Sequence, residues 1–261
     1  MTNPSITKTT RQIAKGYDAI APHMELYPAF YQFLAEACDL YHIAKDASIV
    51  DVGCGTGRLL AELAQRGYQN LSAVDLSARC VDLARAKVPT AMIRVHDIQS
   101  GPLWQRFDVV FMTDVIEHLT DPVRGLKHVH DSLIEGGWLF VSFPNRLAFF
   151  PWYYLKPLGD ALRWWPWLQG WVRWFTLPYE MRSQQPIDHA YSPGEVTSLL
   201  QTAGFFIVRA RGMRLLPMLR IPGLDWTERS MAAAERILRR LAPTWVYYRY
   251  MLVCQKPSGH S

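Results

Sequence analysis

The residues with the clearest chemical potential are Asp51, Gly53, Gly55 and Gly57, set in the run Ser48 to Arg58, SIVDVGCGTGR. The run reads as a short buried strand, a glycine-rich turn and a helix from Arg58 to Arg66. A helix start carries unpaired N–H groups and a positive dipole end, which suit a carboxylate or a phosphate. Glycines let the backbone turn tightly and approach a ligand closely. A dinucleotide site asks for its third glycine at position 58, but Arg58 stands there and Gly57 comes one residue early. Asp75 closes the apolar run Leu71 to Asp75, and an acid at the tip of a second strand can bind both hydroxyls of a ribose. Farther on, Thr113, Asp114, Glu117 and His118 bring two carboxylates and an imidazole to the end of another apolar run.

These residues need a scaffold. Apolar runs alternate with amphipathic ones, as in an α/β parallel sheet with helices on both faces. The strands are expected at Ile49–Val52, Leu71–Asp75, about Ala91–Val95, and Phe107–Met112. Asp121 is a plausible cap for a helix from Pro122 to Leu133, stopped by Gly136-Gly137 before a fifth strand, Trp138–Phe143. Ser192-Pro193-Gly194-Glu195 has capping-box spacing with proline at the first helical position. That helix runs to Thr202, then a sixth strand spans Phe205–Ala210, and Val246–Gln255 is apolar enough for an inner seventh. Upstream, Arg11 to about Leu40 reads as helical, with Tyr17, Ile20, Met24, Tyr27, Phe30 and Phe33 recurring every three or four residues.

At the glycine loop the chain resembles the class I methyltransferases that use S-adenosyl-L-methionine. Their first motif, an acid followed by G-x-G-x-G, is matched by Asp51, Gly53, Gly55 and Gly57. His96-Asp97-Ile98 matches their adenine-side motif. The resemblance implies a doubly wound, mostly parallel seven-stranded sheet of Rossmann-like form. It lays the cofactor's methionine end over the loop that includes Cys54, and its ribose on Asp75 beside Leu76. Asp97 and Ile98 then take the adenine, and Thr113 closes strand four beneath the site. Tyr17 belongs to a segment resembling the piece many such enzymes fold over the cofactor; a core-packing helix is the alternative.

Asp114 to Pro122, DVIEHLTDP, closely resembles the O-methyltransferases of ubiquinone biosynthesis. Some of those carry Glu-x-x-Glu-His here and bind magnesium, which implies Asp114, Glu117 and His118 as ligands of Mg2+. The Glu-His pair also occurs in methyltransferases without metal, where it shapes the pocket, so both readings stand. Methyl transfer is an in-line displacement that needs alignment and exclusion of water. An oxygen acceptor also needs a base. His118, with Glu117, is the first candidate and His189 the second, whereas His128 and His130 are expected at the surface.

One domain of 261 residues is expected. It comprises a cofactor-binding half (10–145), an aromatic insertion (146–190) and a C-terminal part (191–261) with its own insertion at 213–244. Residues 1–145 hold 13 Lys/Arg against 16 Asp/Glu, a net of −3; residues 146–261 hold 15 against 7, a net of +8. Six of the 10 tryptophans fall between 152 and 174. The longest uncharged runs there are nine residues, Leu147–Leu155 and Trp164–Val172, too short for a membrane span of roughly 20. The segment reads as an interfacial element on an anionic membrane, as a lid over a hydrophobic substrate, or as core. Four scattered cysteines and an N-terminus without an apolar run point to a cytoplasmic protein, peripheral on the membrane.

The function expected is O-methylation of a hydrophobic, prenyl- or lipid-like small molecule. The alternatives are a soluble metabolite under an aromatic lid, an RNA methyltransferase and a non-catalytic membrane-binding module. The basic half suits nucleic acid. However, Thr113-Asp114-Val115-Ile116 stands where amino-methylating enzymes carry Asn/Asp-Pro-Pro-aromatic, and a nucleic-acid partner is not expected.

Overall fold

The computed structural model describes residues 10–21, 28–147, 187, 189–214, 247 and 249–259. Their strands are β1 (Ile49–Val52), β2 (Leu71–Asp75), β3 (Met92–Val95), β4 (Phe107–Thr113), β5 (Leu133–Pro144), β6 (Phe206–Arg214) and β7 (Arg249–Gln255). They form one sheet in the order β3-β2-β1-β4-β5-β7-β6. β1 to β5 run parallel, and β7 runs antiparallel to both its neighbours. The doubly wound, mostly parallel α/β sheet expected from the sequence is therefore present.

Strand periodicity assigns the two cores. Val50 and Val52 of β1, with Val110 and Met112 of β4, face α5 (Pro122–Asp131) and α6 (Pro193–Thr202). Ile49, Val109 and Phe111 face α2 (Pro28–Leu40), α3 (Arg58–Gln65) and α4 (Ala78–Lys87). Strands buried on both faces read as continuous apolar runs, which made β1, β2 and β4 legible. Both expected caps form: Asp121 accepts from the Arg124 N–H, and Ser192 and Glu195 complete a capping box.

Three boundaries differ from the sequence reading. The helix expected from Arg11 to Leu40 is two, α1 (Thr10–Ile20) and α2; Pro28 opens the second, where its missing N–H costs nothing. α5 ends at Asp131 because Leu133 already pairs with Phe107. Gly136-Gly137 thus lies inside β5, at a register shift between Phe107 and Val109, with Gly136 at φ +75. β6 continues past Ala210 to Arg214 through two register shifts, taking up the start of the expected second insertion. The rest of that insertion, and residues 148–186 of the aromatic one, lie outside the described residues. Among the described residues, no helix is long and apolar enough to cross a membrane.

Candidate active site

A cleft of about 190 Å³ opens beyond the carboxyl ends of β1, β2 and β4, where ligands of open α/β sheets bind. The glycine loop forms its floor. Gly53 adopts φ +75 and donates its N–H to the Val74 carbonyl at 2.7 Å. A Cβ there would stand 2.3 Å from Val115 Cγ2, so the loop and the turn after β4 meet at a hydrogen atom's width. Gly53→Ala is therefore expected to cost about 2–4 kcal/mol, from overpacking plus left-handed strain. Gly55, at φ +50 with nothing within 4 Å of its Cβ position, should lose only about 1 kcal/mol as alanine. Paired urea melts measure the contrast.

Asp75 stands at the tip of β2, as the sequence predicted. Its Oδ2 accepts the Gly55 N–H and its Oδ1 the Ser77 N–H, both at 2.8 Å. Ser77 caps α4 by accepting from the Cys80 N–H, and donates its hydroxyl to Asp18 Oδ1 at 2.5 Å. Asp18 also accepts the Arg79 N–H, which pins α1 across the start of α4. Neither Ser77 nor Asp18 was singled out in the sequence, although Ser77 has N-cap placement two residues after Asp75. Ile13 and Tyr17 of α1 line the cleft beside Leu76.

Burial raises the Asp75 carboxyl, against its two backbone donors. Asp51, 2% exposed beneath the loop, is pushed to about 8, by burial first and then by the charge of Asp75. Its Oδ1 has no hydrogen-bond partner among the described residues. A buried acceptor without a donor, next to a second carboxylate, fits a ligand bearing an ammonium and a ribose, as S-adenosylmethionine does. A proton held by folded Asp51 but released on unfolding makes the parent lose stability as pH rises from about 4 through about 8. Asp51→Asn removes that slope and should be more stable than the parent at pH 8 by on the order of 2 kcal/mol. Thermal melts at pH 5 and pH 8 test the sign. Burial drives the neighbouring Cys54 thiol well up, so it is not a thiolate.

Asp97 builds a turn by accepting the Gln99 N–H at 2.9 Å, and Ile98 behind it is buried. Gln99 Oε1 accepts from Thr120 and from the Asp121 N–H, tying this loop to the start of α5. His96 of the adenine-side motif lines the cleft, as do Gln99 and Thr120, to which the sequence reading gave no role.

The turn after β4 carries the reactive groups. Thr113 pairs with Ser142 at the strand end, and Asp114 leaves it at φ +55. Glu117 is 2% exposed, its Oε1 4.0 Å from His118 Nε2. His118 Nδ1 lies 2.6 Å from the Ile187 carbonyl oxygen. A carbonyl only accepts, so Nδ1 bears a proton, and in the neutral form of the ring the lone pair lies on Nε2. The ring meets Tyr17 edge-on at 5.8 Å. His189 joins through its backbone, donating to the Glu117 carbonyl; its ring is exposed and turned to Tyr191. His128 and His130, expected at the surface, are half-buried, and His128 Nδ1 bonds the Ile98 carbonyl.

The magnesium site read from the resemblance does not form as expected. Asp114 Oδ1 accepts from Ser142 Oγ at 2.9 Å, and Oδ2 is ion-paired with Arg249. Among the described residues, no three His, Cys, Asp or Glu side chains are grouped to hold a metal.

Residues 21–210 match the family model described as "Methyltransferase domain". The chain belongs to the class I methyltransferase domains that use S-adenosylmethionine. This methyltransferase domain is 35% identical over 128 residues to the mitochondrial ubiquinone biosynthesis O-methyltransferase of Candida albicans, covering 45% of this chain and 39% of that protein. The chain matches less than half the length of this relative and of the ubiquinone biosynthesis O-methyltransferases of Pseudomonas aeruginosa and Coxiella burnetii, which are 29% and 32% identical over 113 and 107 residues. A possible histamine N-methyltransferase from Thermotoga maritima superposes with TM-score 0.62 at 16% identity, over 94% of this chain and 99% of its own. The [4+2]-cyclase SpnF also reaches 0.62, at 17% identity over 99% and 100%. Likeness this distant speaks to fold alone, and the cyclase shows that one scaffold hosts different chemistries.

Proposed function

We propose that this chain methylates a hydroxyl oxygen of a hydrophobic, prenyl- or lipid-like acceptor at a membrane surface, with His118 as the base. The observation that carries the reading is the Nδ1 bond from His118 to Ile187, which leaves Nε2 as the acceptor of a proton. Buried Glu117 beside it favours the imidazolium formed when that proton arrives. Bound in the cleft, S-adenosylmethionine supplies an electrophilic methyl on a sulfonium. Asp75 is suited to the ribose, Asp97 to the adenine side, and Asp51 with the glycine loop to the amino-acid end. α1 and the turn at 114–118 then wall the reacting centre from water.

Two further points support the acceptor class. The curated relatives named above are ubiquinone biosynthesis O-methyltransferases. The sequence also adds a net +8 beyond residue 145 and six tryptophans between 152 and 174, a composition suited to anionic lipid. The test supplies methyl-labelled S-adenosylmethionine with prenylated phenols in anionic vesicles, against unprenylated catechols and tRNA in solution. Label on the oxygen of a prenylated phenol supports the reading. Turnover of the soluble catechol alone would favour the lid alternative, and label in tRNA would overturn the acceptor class.

A further inference from the structure

We propose that Arg249 is a positioning residue of the methyl-transfer site: the fixed counter-cation of Asp114, standing at that carboxylate in the place a divalent ion would need. The inference rests on the methyltransferase reading above.

Both Asp114 oxygens are committed to the protein. Oδ1 accepts from Ser142 Oγ at 2.9 Å and Oδ2 meets the Arg249 guanidinium. The two side chains are 14% and 10% exposed, and breaking so desolvated a pair from one side leaves an uncompensated charge. Arg249 is itself anchored. It opens β7, in register with Pro144 of β5 and Arg214 of β6, and its guanidinium lies 4.4 Å from the centre of the Phe30 ring of α2. Swinging aside for a metal would cost this arginine both its carboxylate and its ring contact.

The pair fixes the part of the chain that touches ligand. Asp114 and Val115 both line the cleft, and His118 follows within the same turn. Asp114 holds φ +55, and Val115 packs where Gly53 has no room for a Cβ. Removing the cation frees a carboxylate at the root of this turn and loosens its seat on the glycine loop. Arg249 thus acts through Asp114, at the carboxylate that the resemblance offered to a metal.

Calorimetric titration of the full chain with S-adenosylhomocysteine tests this. Arg249→Met is expected to weaken binding by about tenfold or more, as for a buried pair broken from one side. Arg249→Met with Asp114→Asn should regain most of the loss, because asparagine still accepts from Ser142 and tolerates the left-handed backbone. Arg249→Lys should fall between, keeping charge without the planar fork. Titrating the parent with Mn2+ should give no saturable site, and chelator should leave its affinity for S-adenosylhomocysteine unchanged. If the single variant does not fold, the double variant decides. A folded Arg249→Met that binds like the parent would sink the role. So would a double variant no better than the single, or a Mn2+ site on the parent that Asp114→Asn abolishes. A parent that does not bind S-adenosylhomocysteine overturns the function itself; a binding parent with indifferent variants overturns only the role of Arg249.

Discussion

His118→Asn is expected to lower kcat by about 10²–10⁴-fold, the usual worth of a positioned general base, with far less effect on S-adenosylhomocysteine affinity. Asparagine can still donate to the Ile187 carbonyl that Nδ1 now bonds at 2.6 Å, so the turn keeps its anchor. What it lacks is the Nε2 lone pair. A loss confined to the chemical step lowers kcat and kcat/KM together and leaves binding of the product cofactor intact. Single-turnover transfer and calorimetry, run on the same preparations, separate the two. Glu117→Gln should cost less, on the order of tenfold, because it removes only the charge that favours the imidazolium. An asparagine variant that turns over at the parental rate would leave His118 as a wall of the cleft.

The sequence announced some of this site because its signals are local. A glycine at φ +75 and an acid closing an apolar strand are visible within five residues, so the loop and Asp75 were found with their neighbours. Ser192 and Asp121 were found for the same reason, since a cap is a spacing rule. The missed residues act across the fold. Ser77 and Asp18 meet over 59 positions, and Asp114 and Arg249 join β4 to the last strand. Nothing in the residues around Asp114 signals an arginine that lies far along the chain, so a local match to a metal motif could not show that Arg249 is paired with this carboxylate. The end of α5 failed differently: a glycine pair is a strong stop signal, but pairing of Leu133 with Phe107 overrode it. Helix α1 shows the reverse. Its period was legible, but its end at Ile20 was hidden because the apolar spacing of the sequence continues past it.

The second large effect is expected at Asp75, the carboxylate proposed for the ribose. Asp75→Ala is expected to weaken S-adenosylhomocysteine binding by about 10²–10³-fold, the worth of two charge-assisted hydrogen bonds to vicinal hydroxyls. The substitution also strands the Gly55 and Ser77 N–H groups that now donate to the carboxylate at 2.8 Å, so some loss would follow from loop disorder alone. A ligand lacking both ribose hydroxyls separates the contributions. Against that analogue the parent should lose most of its advantage over Asp75→Ala, whereas equal loss for both ligands would mean that Asp75 only braces the loop. The pH dependence carries a second signature. Because burial raises this carboxyl, it takes up its proton at a higher pH than an exposed aspartate would. Ribose affinity in the parent should therefore fall as pH drops through that raised value, and the alanine variant should lack this step.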